Sequence, residues 1–387
     1  MKNTVSSRLI FLGAGFSSPA GLPLGRNLFS EVRTRIKYEQ GLDNHFEGDL
    51  NRFLEYLRIC DERSVSDEEI DFEEFLAFLD IEHFLGLKGK DTWSSEGNET
   101  QLLIRHYIGQ ILLERTPTDI ESIPSLYRKF VHFLNPSDRI FTFNYDNLLE
   151  RVLDAEGISY RLFPHRFSEI NTTFNTIDSS HDDDEIVVTK LHGSIDWFDR
   201  TAYNERLQIA SQDSISYFPK HPVFGADALV HPIPLVEGPR SHDDPLNLVF
   251  RVPDPSPLYQ KPRLSCAPLI LSPSRTKFIY ARPLKDFWWG LEDMGGLNLS
   301  LIIVGYSLPV YDEYARMVLY HVARNFTEFE PDLEFLGRKK SAVRILDERS
   351  DPSEEKELRD RYRFINPKRC EFWMDGLSEK GIEWLFR

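Results

Sequence analysis

Cysteine is scarce in this chain. Cys60, Cys266 and Cys370 stand singly and far apart, so neither a disulfide framework nor a four-cysteine zinc site can be assembled within one chain. None of the eleven histidines forms a His-Glu-x-x-His pattern or a zinc-spaced Cys/His pair, and no bound metal is expected. Long apolar runs are missing as well: no stretch approaches the roughly 20 residues of a membrane-spanning helix. Positive charge is in deficit, with 46 basic against 62 acidic residues and a formal net charge of −16. That balance works against a broad electrostatic footprint on nucleic acid, and direct nucleic-acid binding is not expected as the main task. The start of the chain runs through a polar Ser6-Ser7-Arg8 without an apolar signal region, so a cytoplasmic location is expected.

What is present reads as a globular protein: 387 residues, 41% hydrophobic and 28% charged, long enough for two to three units at about 150 residues each. Apolar runs of strand length occur at Leu9 to Leu12, Arg139 to Phe143, Ile186 to Leu191 and Leu299 to Val304. Helix-like segments follow the first, second and fourth at Leu28 to Tyr38, Asp146 to Leu153 and Tyr311 to Val322. A helix at Ile123 to Leu134, a strand at Pro268 to Leu271, a helix-like Leu284 to Leu291 and a final strand at Ala342 to Leu346 complete the pattern. The expected fold is α/β, a Rossmann-like parallel sheet flanked by helices, with a helical insertion and a second, irregular insertion. The α/β core takes residues 1–40, 116–200 and 266–387. Residues 41–115 form the helical module, with a flexible loop near Gly86 to Asn98, and residues 201–265 are built of loops and short strands.

Four polar segments follow those four strands: Gly13-Ala14-Gly15-Phe16-Ser17, Asn144-Tyr145-Asp146, His192-Gly193-Ser194 and Gly305-Tyr306-Ser307. In an open α/β sheet, ligands bind beyond the carboxyl ends of parallel strands, so segments distant in sequence can meet in one crevice. Gly13 and Gly15 permit a tight turn whose amides approach a pyrophosphate. Ser18 replaces the third glycine of the dinucleotide fingerprint, and a plain strand-to-helix turn reads equally well. Asn144 and Asp146 project to one side of an extended segment and suit ribose hydroxyls or a water; alternatively they form an Asx turn and helix cap. His192 would emerge at the sheet rim with space beside it, where an imidazole suits a general base, or it is structural. Gly305 to Ser307 repeats the logic of the first turn, or simply joins strand to helix. Asp347, after the last strand, either accepts bonds from a nucleoside or is a solvated loop acid. The run His181-Asp182-Asp183-Asp184-Glu185 lacks the spacing of a calcium loop and reads as solvated.

Taken in order, the Gly-Ala-Gly-x-Ser turn, Gly21-Leu22-Pro23, Thr142-x-Asn144-x-Asp146-x-Leu148, His192-Gly193 and Gly305-x-Ser307-Leu308-x-Val310 resemble the sirtuin family and, more closely, the sirtuin-like proteins of prokaryotic anti-phage defence. The resemblance implies NAD+ as substrate, bound across the sheet on Gly13, Ala14, Gly15, Phe16, Ser17, Gly305, Tyr306 and Ser307, with Asp347 beyond the last strand. It places Asn144, Asp146 and His192 around the nicotinamide ribose as the catalytic set. Arg26 stands where the family has an arginine near the cofactor loop, although Leu24-Gly25 replaces the family's Asp-Phe.

Protein-deacetylating sirtuins generally carry a four-cysteine zinc module, which three scattered cysteines cannot supply. The expected reaction is therefore hydrolysis of NAD+ to nicotinamide and ADP-ribose by a NAD-depleting effector of abortive infection. ADP-ribosyl transfer or deacylation, and a non-enzymatic assembly module controlled by NAD or ADP-ribose, are the alternatives. The resemblance also implies a homo-oligomer and a separately encoded partner of the HerA-family ATPase and translocase type.

Overall fold

The computed structural model describes residues 7–40, 45–66, 69–87, 94–163, 167–171, 176–179, 184–212, 219–237, 240–262, 266–272, 274–276, 280–328 and 339–387. Its centre is a seven-stranded sheet of β1 (Arg8–Leu12), β2 (Arg139–Thr142), β3 (Tyr160–Leu162), β6 (Ile186–Lys190), β10 (Ser300–Val304), β11 (Val343–Leu346) and β12 (Cys370–Trp373). The order is β12-β11-β10-β1-β2-β6-β3 and every pairing is parallel. Leu9, Ile10, Phe11 and Leu12 of β1 are all buried, as a parallel strand covered on both faces requires. Ile10 lies opposite Ile140 on one side and Ile302 on the other. The chain moves outward from β1 through β2 and β6, then returns to place β10 on the opposite side. The crevice between β1 and β10 is thus the topological switch point of a Rossmann-like sheet.

Helices α1 (Ala14–Ser17), α2 (Gly25–Gln40), α3 (His45–Cys60), α4 (Phe72–Leu85) and α5 (Glu99–Arg115) follow β1 before the sheet resumes. They pack through Phe29, Phe46, Phe53 and Phe75, with Phe29 stacked on Phe72 at 4.2 Å. α5 begins with a capping box between Asn98 and Gln101, which satisfies otherwise unpaired amides at the helix start. Its buried Ile104, Tyr107 and Ile111 belong to the same continuous apolar core as the sheet. Of the loop near Gly86 to Asn98, residues 88–93 lie outside the described residues, as do His181 to Asp183 of the acidic run. Among the described residues no helix is long and apolar enough to cross a membrane.

Helices α6 (Ser125–His132) and α7 (Leu148–Ala155) flank β2. A two-stranded hairpin, β4 (Phe167–Asn171) with β5 (Thr176–Ser179), precedes β6. The segment expected to be loops and short strands after residue 200 also contains a helix, α8 (Thr201–Gln212). Its strands β8 (Ile233–Pro234) and β9 (Val249–Arg251) join β7 (Trp197–Asp199) in a small antiparallel sheet, and α9 (Ser256–Tyr259) packs on α5.

Three expectations are corrected. Pro268 to Leu271 is no strand of the main sheet but makes a single bridge, Gly193 to Ile270, because it crosses the chain after β6 instead of lying beside a neighbour. Leu284 to Leu291 is a 3-10 turn at Arg282–Phe287 followed by α10 (Leu291–Leu297), with Gly290 in the left-handed conformation between them. The strand Val343–Leu346 is not the last: after α11 (Glu313–Glu328) and α12 (Pro352–Arg361), β12 adds the sheet edge and α13 (Glu379–Phe386) closes the chain. β12 is only half buried along its length, so it carries no continuous apolar run.

Candidate functional site

The two glycine turns lie back to back. Gly13 N–H donates to the Val304 carbonyl at 2.9 Å, and Gly15 N–H donates to the Gly305 carbonyl at 2.8 Å. A Cβ on Gly13 would sit 2.6 Å from Gly305 O, and one on Gly15 would sit 2.7 Å from Gly305 Cα. Glycine is needed here for backbone contact between β1 and β10. The expectation that the amides of both turns form an open phosphate cradle is corrected in part. The Gly13 and Gly15 amides are committed across the turn, Phe16 N–H bonds Gly13 O, and Gly305 N–H bonds Leu346 O. Ala14 is exposed and Ser307 is half buried, which leaves them at the accessible part of the crevice.

Behind the first turn, the ends of β1 and β2 are tied by side chains. Asn144 Nδ2 donates to Gly13 O at 3.0 Å and to Ser17 Oγ at 3.2 Å; Ser17 Oγ–H donates to Asp146 Oδ2 at 3.0 Å. Asp146 Oδ1 also accepts the Leu148 amide at 3.0 Å, so the helix-capping role and the network role coexist in one carboxylate. Lys190, fully buried, anchors the loop from below: Nζ donates to Asp146 O at 2.6 Å and pairs with Glu150 at 2.7 Å. Breaking one partner of such a buried pair would leave an uncompensated charge.

His192 does not stand at an open rim. It is 2% exposed and walled by Phe143, Trp288 and Tyr145, with ring centroids 5.2, 5.8 and 6.2 Å away. Its Nε2 lies 3.3 Å from Asp312 Oδ2, and Tyr306 O–H donates to the same oxygen at 2.8 Å. Tyr306 stacks on Phe143 at 4.1 Å. Burial first, then the Asp312 carboxylate, pushes the Tyr306 phenol far above its ordinary pKa, so it remains a donor. Asp312 is fully buried, and its Oδ1 accepts the Ala315 amide at the start of α11. Gly193 has φ +79, and a Cβ there would meet Leu269 O at 2.0 Å; the close crossing of residues 269–271 behind His192 depends on it. That crossing is held by Leu271 N–H to His192 O at 2.8 Å and Tyr145 O–H to Leu271 O at 2.6 Å.

Asp347 follows β11 and is buried, not solvated. Desolvation raises its carboxyl above the ordinary range, opposed by Arg349 at 3.5 Å. Arg26 is the second residue of α2, and its side chain lies outside the described residues. The residues that sequence reasoning missed are Asp312 and Lys190. Asp312 carried one legible signal, an aspartate immediately before a helix. Lys190 carried none, because a lysine closing a strand looks solvent-facing until its burial is known.

Residues 138–229 match the model of the SIR2-like domain. This SIR2-like stretch contains Asn144, Asp146, Lys190 and His192, and its sheet is completed by β1, β10, β11 and β12 from outside it. Among solved structures, a Sir2 enzyme bound to a propionylated peptide is 12% identical, aligning over 99% of this chain and 92% of its own, with a TM-score of 0.29. A Sir2 structure describing mechanism and regulation is 12% identical over 98% of this chain and 91% of its own, with a TM-score of 0.33. A Sir2–peptide–NAD+ complex is 12% identical over 97% of this chain and 90% of its own, with a TM-score of 0.28. No curated protein matches the chain.

Proposed function

We propose that the chain hydrolyses NAD+ at the nicotinamide glycosidic bond. The observation that carries the reading is the Ser17–Asn144–Asp146 network at the switch point, next to the buried His192–Asp312 pair, with three of these residues inside the SIR2-like stretch. Nicotinamide is a neutral leaving group from a cationic glycoside, so the barrier is the formation of an oxocarbenium-like centre at C1′ of the ribose. The C1′–N bond breaks with its electron pair passing to the pyridinium nitrogen, and no general acid is needed. Asp146, held by Ser17 and the Leu148 amide, favours the developing positive charge. Asn144 orients the ribose or the attacking water. The water oxygen bonds to C1′, His192 takes its proton, and the products are nicotinamide, ADP-ribose and a released proton.

Asp312, 3.3 Å from Nε2, fixes the orientation of the imidazole. Asp312→Asn is expected to lower kcat about 10- to 100-fold, the worth of one charge-assisted hydrogen bond. A stopped assay of nicotinamide release checks it; an unchanged kcat in a folded Asp312→Asn variant would remove Asp312 from this role.

The test of the reading as a whole is release of nicotinamide and free ADP-ribose from labelled NAD+ by the purified chain. Label carried onto macromolecules instead would favour ADP-ribosyl transfer, and saturable NAD+ binding without release would favour a nucleotide-controlled assembly module. A NAD-depleting role in anti-phage defence, self-assembly and a HerA-family partner rest on the resemblance of the motifs. Co-purification with the neighbouring gene product, and the oligomeric state in its presence, test them.

A further inference from the structure

The two turns of the crevice differ in which of their backbone groups are taken. The amides of Gly13, Gly15, Phe16 and Gly305 are committed to carbonyls within the protein. Those of Ser307 and Leu308 donate to no group among the described residues, although Leu308 is fully buried. A buried amide without a partner is costly, and such groups are rare in native folds. Both belong to a turn bracketed by left-handed backbone, with φ +62 at Gly305 and +52 at Leu308. Leucine adopts that conformation only where its surroundings enforce it.

The carbonyls of the same two peptide units are held by the end of α12. Tyr362, 1% exposed, donates its hydroxyl to Tyr306 O at 2.7 Å. Arg361 Nη1 donates to Ser307 O at 2.9 Å, and its Nη2 pairs with Glu357 at 2.6 Å one turn earlier. Burial first, then the nearby Asp347 carboxylate, holds the Tyr362 phenol far above its ordinary pKa, so it stays a donor. A trans peptide unit is planar, with its C=O and N–H directed oppositely. Fixing the Tyr306 and Ser307 carbonyls on α12 therefore turns the Ser307 and Leu308 N–H groups away from that helix, beyond the carboxyl end of β10. Two successive free amides in a turn make a concavity suited to an anion.

We propose that Arg361 and Tyr362 are positioning residues for the substrate: they hold the second turn so that the Ser307 and Leu308 amides bind the diphosphate of NAD+. The inference rests on the NAD+ reading of the crevice and adds to it a part of the chain outside the SIR2-like stretch of residues 138–229. Both side chains reach from α12 to the turn after β10, 54 and 56 residues earlier in the chain. They differ in a way that separates positioning from charge. Arg361 carries a positive charge that attracts an anion directly, whereas neutral Tyr362 acts only through the turn it holds.

Calorimetry of ADP-ribose with the full chain tests the assignment, because it reads the diphosphate site without turnover. Affinity is expected to fall about 10-fold in Arg361→Met and in Tyr362→Phe, the worth of hydrogen bonds to a charged group, and to return toward wild type in Arg361→Lys. Arg359→Met loses the same charge from the same helix, at an arginine paired with Glu355, and should leave the affinity unchanged. In amide-resolved NMR spectra of the wild type, the Ser307 and Leu308 resonances should shift with ADP-ribose and stay in place with adenosine, which has no phosphate. In turnover of NAD+, both weakened variants should raise KM about 10-fold with kcat nearly unchanged, since the diphosphate is remote from C1′. Weakened ADP-ribose binding in a chain that releases no nicotinamide would support the assignment while removing the hydrolase reading. Nicotinamide release with full ADP-ribose affinity in either Arg361→Met or Tyr362→Phe would do the reverse. Absence of ADP-ribose binding by the wild type, unmoved Ser307 and Leu308 amides, or an equal loss in Arg359→Met would each overturn the assignment.

Discussion

Replacing His192 by alanine is expected to lower nicotinamide release from NAD+ by two to four orders of magnitude, the range over which a positioned base acts. The imidazole is held by aromatic walls and by Asp312, so no nearby side chain can take its place without moving Phe143 or Trp288. The fold should survive the change, because Asp312 keeps its bonds from the Tyr306 hydroxyl and the Ala315 amide. Substrate affinity, measured by calorimetry with the slow variant, should change far less than turnover. Asn144→Ala is expected to act differently. It removes both bonds that tie the end of β2 to Gly13 and Ser17, so turnover and NAD+ affinity should fall together. His192→Ala with near-normal turnover, beside a folded and NAD-binding protein, would take His192 out of the mechanism.

Gly305→Ala is expected to destabilise the protein by about 2–6 kcal/mol, combining the strain of a left-handed residue with overpacking of a tight contact. Gly305 has φ +62, and a Cβ there would lie 2.3 Å from the backbone of Gly15 and Phe16. No rotamer change relieves a clash between two backbones; β10 and the first turn must separate. That separation would strain the Gly15 N–H to Gly305 O bond and the Phe143–Tyr306 stack that leads to Asp312. Denaturant unfolding gives the stability loss, and NAD+ affinity should fall even in whatever fraction folds. The comparison variant Gly157→Ala shares a positive φ but meets nothing within 4 Å, so it should lose only the backbone part. Equal losses in the two variants would show that turn packing is not the cause.

The strands of the sheet centre were legible because a buried parallel strand leaves an apolar run: four residues in β1 and in β10, and shorter ones in β2, ended by Thr142, and in β6, ended by Thr189 and Lys190. The edge strand β12 was not, since half-burial allows charged and aromatic residues to alternate with no run to detect. The crossing at residues 268–271 looked like a strand by composition, yet its apolar side chains are buried by packing behind His192 and not by ladder partners.

The sequence by itself determined the α/β rhythm, the placing of glycine turns and polar residues after strand ends, and the absence of a four-cysteine zinc site, because these depend on local periodicity and residue type. Only the tertiary structure decided which groups meet. It committed the turn amides to backbone bonds, gave Ser17 to both Asn144 and Asp146, and buried His192 against Asp312. Residues 120 apart along the chain become partners only when β6 and β10 stand on opposite sides of β1 and β2 within one sheet, and no local pattern encodes that distance.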